Sequence, residues 1–171
     1  MDRQPGALTL SEADRRVLAV WAADCAERVL PLFEAEAPGD PRPREAIDGL
    51  RAFARGELRV GPARALAARA HAAAREVASP VATAAARATG HAVATAHMAA
   101  HARGVPAYAS IAAAGAAPGD PSAAATEVNW AIGHATPSVR AILRKLPAPP
   151  HAAGMLGEAI ETLHVAIVTG D

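Results

Sequence analysis

The chain has 171 residues, and its 17 Lys and Arg balance its 17 Asp and Glu to a formal net charge of zero. This length predicts one domain over residues 1–171, large enough to bury a core. The balanced charge argues against nucleic-acid binding, since phosphate contacts require a local excess of Lys and Arg. Alanine dominates and aromatic residues make up only 3%, which together favour helices over strands.

Cysteine usage and the N-terminal sequence bear on the compartment. Cys25 is the single cysteine, so an internal disulfide is excluded and a Cys-x-x-Cys metal or redox motif is absent. Residues 1–10 lack the basic and apolar regions of a signal peptide, and we expect them to be flexible. Arg or His interrupts every alanine-rich run before about 20 apolar residues accumulate. We therefore expect a cytoplasmic protein without a membrane span.

Helix starts can be recognised from prolines that follow a small or capping residue. A proline in the first turn of a helix loses no hydrogen bond, and a preceding Ser, Thr, Asp or Gly can cap the free N–H groups. Six such starts are predicted, at Asp40-Pro41, Gly61-Pro62, Ser79-Pro80, Val105-Pro106, Asp120-Pro121 and Thr136-Pro137, of which Val105-Pro106 lacks a capping residue.

Further signals in the sequence indicate where individual helices begin and end. Ser11, with Asp14 three residues later, predicts the cap of a first helix, and Pro31 is expected to bend or end that helix. Gly104 is the expected stop of the fourth helix. The predicted helices span residues 12–34, 41–55, 62–78, 80–103, 106–116, 121–132, 137–145 and 151–168, within two to four residues at each end. The sequence thus predicts an all-α fold, a single compact bundle of about seven or eight helices with alanine-rich close packing.

The predicted fourth helix carries most of the histidines. Its segment RATGHAVATAHMAAHA (residues 87–102) is small or apolar nearly all round, which predicts a central and largely buried helix. At about 100° per residue, Arg87, His91 and His101 share one stripe, and His97 lies at its edge. Buried imidazoles need hydrogen-bond partners, so this stripe is a candidate site.

Two other helices supply candidate neighbours for the stripe. The third helix places Arg64 and His71 on one face, and the first helix places Trp21 near Asp24. Asp24 could hold a histidine of the fourth helix in one tautomer, as carboxylates do in acid–base sites. The predicted site therefore consists of His91, His97 and His101 with Asp24, Arg64, His71, Arg87 and Trp21 as neighbours.

Simpler interpretations stand beside this one. The histidines can be structural polar positions within a small-residue interface, and Asp24 can form an i,i+4 ion pair with Arg28. Cys25 fits a small buried hydrophobe better than a nucleophile. His97 and His101 have the spacing of two metal ligands, but His91 lies about 120° round the helix from His97. We therefore expect that neither a metal nor another cofactor is required.

Several separated motifs resemble one family. They are WAADCAERVLPLFE (residues 21–34), RPREAI (42–47), RAFARGE (51–57), HAAAR (71–75) and GHAVATAHMAAHA (90–102), followed by Tyr108. In this order they resemble the putative immunity protein family of actinobacterial polymorphic toxin systems, over residues 8–115. Trp130 and residues 137–146 resemble the family's tail more loosely. The resemblance implies an all-helical protein that binds and neutralises a cognate toxin in the cytoplasm.

The sequence leaves two classes of function open. The first is a binding protein for a toxin; the second is a small helical enzyme or ligand-binding protein, in specialised metabolism for example, that uses a His/Arg/Asp pocket for acid–base chemistry. The partner is accordingly a protein toxin or a small molecule, and whether the chain is an enzyme is undecided. The segment 147–171 departs from the family pattern and adds a further helix, which could cover a toxin-binding face, a pocket or the seam of a homodimer.

Overall fold

A computed structural model describes residues 10–170. Within this range the chain forms nine α-helices and one 3-10 helix and contains no strand, which confirms the predicted all-α class. The α-helices are α1 (Glu12–Glu27), α2 (Leu30–Glu36), α3 (Arg42–Arg55), α4 (Val60–Glu76), α5 (Pro80–Ala94), α6 (Gly104–Ala116), α7 (Ala123–His134), α8 (Pro137–Arg144) and α9 (Gly154–Thr169), and the 3-10 helix spans Ala99–Arg103.

Helix caps follow several of the sequence signals. The Ser11 hydroxyl accepts from the Asp14 N–H at 3.0 Å, and Ser79 and Thr136 cap α5 and α8 in the same way. These side chains occupy N–H groups that have no partner within the helix. At the end of α3, Gly56 adopts φ 83°, a left-handed conformation that glycine reaches without steric cost.

The predicted helix over residues 12–34 is wrong as a single element. It divides into α1 and α2, and the break falls at Arg28 and Val29, just before Pro31. Pro31 has no N–H to donate to the Glu27 carbonyl, four residues earlier, and its ring would clash with that carbonyl. The first helix therefore ends before Pro31, one of the two outcomes expected for it, and Pro31 lies in the first turn of the second helix.

The predicted helix over residues 80–103 is also wrong at its C-terminal end. It stops at Ala94, and the chain turns before entering the 3-10 helix. The Arg15 side chain donates a hydrogen bond to the Ala96 carbonyl at 2.9 Å. The backbone of Met98 is extended, with φ −145°. Gly104 is not a left-handed stop either, because it has φ −71° and begins α6.

Helix α5 forms the centre of the molecule, which confirms the prediction for Pro80–Ala94. Ten of its 15 residues are buried, seven of them alanines, and it contacts α1, α2, α3, α4 and α6. Short side chains let these helices approach closely, as ridges packed into grooves require. Larger buried side chains from α1, α2 and α3, among them Trp21, Phe33 and Phe53, fill the remaining space.

The C-terminal segment packs onto the bundle through α9. Leu163 and Ile167 are buried, and α9 contacts α6 and α7. The predicted flexible region, residues 1–10, lies outside the described residues except for Leu10, which is 6% exposed. Across residues 10–170, none of the helices is both long and apolar enough to cross a membrane.

Candidate functional site

Four histidines, from α4, α5, the 3-10 helix and the turn between the last two, come together. They form what we term the histidine cluster: His71, His91, His97 and His101. The His91 ring centroid lies 5.4 Å from that of His71 and 5.0 Å from that of His101. His97 lies 5.8 Å from His101. The rings meet through tertiary packing, because α5 ends before His97 and the 3-10 helix carries His101 back toward His91.

Two glycines make room for these rings. A Cβ at Gly90 would lie 2.4 Å from the His71 ring, and a Cβ at Gly104 would lie 2.7 Å from Nδ1 of His91. Neither Gly90 nor Gly104 has a positive φ. Close packing against the rings, and not backbone conformation, therefore requires a glycine at both positions. From the sequence, Gly104 was expected to end the fourth helix, and no role was predicted for Gly90.

The cluster holds its imidazoles neutral. Burial, followed by the charges of His101, His71 and Arg87, lowers the pKa of His91 to about 3. Burial, followed by Arg87, lowers the pKa of His71 to about 4. Nη1 of Arg87 lies 3.3 Å from Nδ1 of His71, so the guanidinium donates to a lone pair that protonation would occupy. The positive charge of Arg87 thus lowers the pKa of both imidazoles further, in addition to the effect of desolvation.

His97 lies at the edge of the cluster. Burial, followed by the positive charges of Arg64 and Arg15, lowers the pKa of His97. Its Nδ1 is buried and has no hydrogen-bond partner among residues 10–170. Within the same range, no group of three or more His, Cys, Asp or Glu side chains is arranged to hold a metal ion. The expectation that no metal is required stays a prediction.

A pocket of about 230 Å³ opens beside His91 and His101. Its other walls are Met98, Arg103 and the segment 147–150, which we term the proline strap, with Ile160 of α9. On another side of His91 lies Tyr108, with ring centroids 4.9 Å apart. Met98, Arg103 and Tyr108 were not predicted as site residues, although Tyr108 follows the family-like motif of residues 90–102.

Arg103 fastens the strap over this pocket. It is 6% exposed, and its guanidinium donates to the carbonyls of Pro147, Leu143 and Leu146 at 2.6, 3.2 and 3.3 Å. Because a guanidinium presents several donors in one plane, it can bond these three carbonyls at once, of which the Leu143 carbonyl also accepts from the Leu146 N–H. The pocket therefore has one wall from the bundle and one from the C-terminal segment.

Asp24 does not belong to the histidine cluster, which corrects the predicted pairing. Its carboxylate accepts from Arg51 at 3.0 Å and from His134 at 3.1 Å. The expected Asp24–Arg28 pair is likewise replaced, because Arg28 forms a two-point ion pair with Glu127 at 2.7 and 3.0 Å. Neither partner of Asp24 could be assigned from helical spacing, since both come from other helices.

Trp21 and Asp24 instead line a second concave region, which we term the α1/α8 cleft. It measures about 650 Å³, and its lining residues are Val17, Val20, Trp21, Asp24, Gly133, His134, Ala135, Thr136, Pro137, Ser138 and Val139. The Trp21 indole donates to the Ala131 carbonyl at 3.0 Å and fixes α1 to α7. The predicted site residues are thus divided between two places on the molecule.

Cys25 lies next to this cleft but inside the core. The residue is 2% exposed, and burial, followed by the charge of Asp24, raises the pKa of its thiol above the ordinary value. A nucleophilic cysteine needs an accessible thiolate. Cys25 therefore acts as a small buried hydrophobe, in agreement with the simpler interpretation of the sequence.

Comparison with known families places these features in context. The family described as Imm-5 like putative immunity protein matches residues 8–138. This range contains the whole histidine cluster and the lining of the α1/α8 cleft except Val139, and it ends before the proline strap and α9. No significant match was found among curated proteins or among solved structures. The chain belongs to the Imm-5 like putative immunity protein family.

Proposed function

We propose that the chain is an immunity protein that binds one cognate protein toxin in the cytoplasm and neutralises it. The observation that carries this proposal is the family match over residues 8–138. The finer context, a polymorphic toxin system of an actinobacterium, rests on the resemblance of the sequence motifs. Neutralisation by binding requires a complementary surface and no catalytic group.

The chemistry of the histidine cluster supports a binding role over an acid–base enzyme. A general acid or base works best with a pKa near the operating pH, whereas the pKa values of His71 and His91 lie near 4 and 3. The carboxylate that would orient a catalytic histidine, Asp24, pairs with Arg51 and His134 instead. Asp24 therefore does not orient the histidines of the cluster, although it pairs with a histidine of another helix, His134.

Binding of a small molecule is a second candidate, and one observation favours it. His91 and His101 border the pocket under the proline strap, together with Met98 and Ile160. Neutral imidazoles can both donate and accept hydrogen bonds, and apolar walls exclude water. A small, mostly apolar ligand with one polar group suits this lining.

Growth protection in a bacterial host tests the main proposal. Each toxin domain encoded beside the gene of this chain is induced alone and together with the chain, and colony counts are compared. We expect the chain to restore growth against one of them and to form a stoichiometric complex with that toxin in size-exclusion chromatography. Failure to protect against every one of these toxins would overturn the proposal.

Two single variants, at His91 and His101, separate the candidate functions. His91→Gln and His101→Gln keep some hydrogen bonding, so we expect them to alter the pocket more than the folded state. If toxin protection persists in both while binding of a small molecule is lost, the pocket serves a separate ligand. If protection is lost in folded His91→Gln protein, the histidine cluster belongs to the toxin site.

A further inference from the structure

We propose that the α1/α8 cleft is the surface that docks the toxin, and that it takes an aliphatic side chain of the toxin flanked by a cationic one. This inference rests on the proposed function, because it assigns a place and a chemistry to the binding described above. Its support comes from three features of the cleft: exposed valines, a carboxylate in its lining and the position of the cleft within the family range.

The first feature is apolar surface left in contact with water. Val17 and Val20 are 38% and 48% exposed, and they lie three residues apart on the same face of α1. Both border the cleft, which Trp21, itself 2% exposed, also lines. Exposed aliphatic side chains within a concave surface form the apolar centre typical of a protein interface. An aliphatic side chain of the partner would remove both valines from water.

The second feature is the charge of the adjoining ion network. Arg51 bridges Asp24 and Glu27, and Arg44 bridges Glu27 and Glu34. Three carboxylates therefore share two guanidiniums, and of these five groups only Asp24 lines the cleft, where it is the one acidic side chain of the lining.

Asp24 has an exchangeable partner on the cleft side. Its Oδ1 accepts from Arg51, whereas its Oδ2 accepts from His134, whose side chain is 46% exposed. A guanidinium or ammonium from the toxin could replace the imidazole at Oδ2 while Arg51 keeps its own bond. Because a guanidinium or ammonium brings a positive charge and several donors to the carboxylate, Asp24 favours a cationic partner.

The third feature is the place of the cleft in the family range. Its lining residues fall within residues 8–138 except Val139. The pocket beside the histidine cluster, by contrast, depends on the proline strap and Ile160, which lie beyond residue 138. The matched range therefore contains nearly the whole cleft but only part of the lining of that pocket.

The walls of the cleft are also held in place. Arg140 donates to the carbonyls of Ile132 and Ala135 at 2.7 and 3.1 Å, and Thr136 caps α8. These bonds fix the turn between α7 and α8, and the Trp21 indole ties α7 to α1. A wall that is ordered before binding loses little conformational entropy when the partner arrives.

Two short peptides test the chemistry of the cleft. The isotope-labelled chain is titrated with acetyl-Leu-Arg-Leu-amide and with acetyl-Leu-Glu-Leu-amide while NMR signals of the Val17 and Val20 methyl groups and the Trp21 indole are followed. We expect the cationic peptide to shift these signals at millimolar concentration and the acidic peptide to leave them unchanged. Asp24→Asn should weaken binding of the cationic peptide about fivefold. Glu161→Gln, at an exposed position of α9, should leave this binding unchanged.

Several results would overturn the assignment. Equal shifts with both peptides, or shifts confined to the pocket beside His91, would exclude the proposed chemistry. Shifts of the same methyl groups that depend on the concentration of the chain alone would make a second copy the occupant. Urea unfolding of Asp24→Asn confirms that the variant is folded, and Val20→Ser, at an exposed position, provides a second variant that keeps the ion network.

Toxin protection distinguishes failure of this inference from failure of the proposed function. Val20→Lys places a cation and a long side chain at the mouth of the cleft without disturbing the core. We expect this variant to lose protection against the toxin that the wild-type chain neutralises. If Val20→Lys still protects, the cleft is not the docking surface although the chain is an immunity protein. If the wild-type chain fails to protect, the proposed function itself is wrong.

Discussion

Nδ1 of His91 lies 3.2 Å from Nδ1 of His101, so one nitrogen has to carry a hydrogen and the other has to accept it. The two imidazoles therefore take opposite tautomers at this contact. Protonation of both rings would place two N–H groups and two positive charges against each other. This hydrogen bond ties α5 to the 3-10 helix, which links the order of the cluster to its state of protonation.

The first prediction is that acid destabilises the fold through this cluster. The pKa values of His91 and His71 are lowered to about 3 and about 4, whereas an unfolded histidine titrates near a pKa of about 6.5. Between these values the unfolded chain binds protons that the folded chain does not. The free energy of unfolding should therefore decrease as the pH falls below 6.5, by about 1–2 kcal/mol per buried imidazole between pH 7 and pH 5.

Urea unfolding at several pH values checks this dependence. His91→Gln removes one of the two groups with the lowest pKa, so its stability should decrease less than that of the wild type over the same pH range. His151→Gln, at an exposed histidine outside the cluster, should follow the wild type. An identical pH dependence in all three proteins would show that the cluster does not govern acid stability.

The second prediction concerns the glycines that accommodate the rings. Replacing glycine by alanine within a helix normally stabilises it by about 0.5–1 kcal/mol. At Gly90 and Gly104 the new Cβ would meet an imidazole at 2.4 and 2.7 Å, so both variants should instead lose about 1–3 kcal/mol. Gly133→Ala provides the control, since no atom lies within 4 Å of its Cβ position. Thermal unfolding of the three variants measures the contrast, and stabilisation at all three positions would refute the packing argument.

The third prediction concerns Arg103 and the proline strap. Arg103→Lys keeps the positive charge but cannot satisfy three carbonyls in one plane, so we expect a loss of about 2 kcal/mol and release of the strap. Limited proteolysis should then cut faster within residues 147–153. Arg55→Lys, at an exposed ion pair with Glu57, should leave the cutting rate unchanged. Unaltered cleavage of Arg103→Lys would mean that α9 alone retains the segment.

The fourth prediction concerns the bond between α1 and α7. Trp21→Phe removes the indole donor, leaves the Ala131 carbonyl with the Ala135 N–H alone and opens space in the core, which together should cost about 1–3 kcal/mol. Trp130→Phe, at a half-buried indole stacked on His134, should cost less. Urea unfolding followed by circular dichroism compares the two variants. A smaller loss at Trp21 than at Trp130 would contradict the assigned role.

Local signals in the sequence determined the helices and their starts. Ser11, Ser79 and Thr136 could be assigned as caps because a capping side chain bonds an N–H only three residues away. The burial of α5 was equally predictable, because its segment lacks a polar face. In each case the interaction involves residues within one or two turns of the chain.

Only the tertiary structure decided where the site residues lie. The predicted helix over residues 80–103 ends at Ala94, and the Ala96 carbonyl beyond its end accepts from Arg15, 81 residues away. Helical spacing holds no signal for such a contact. The same reason separates Asp24 from the histidines, since its partners Arg51 and His134 come from other helices. The sequence by itself determined which side chains were available. Packing between distant segments determined which of them meet, because hydrogen bonds and burial depend on distance in space.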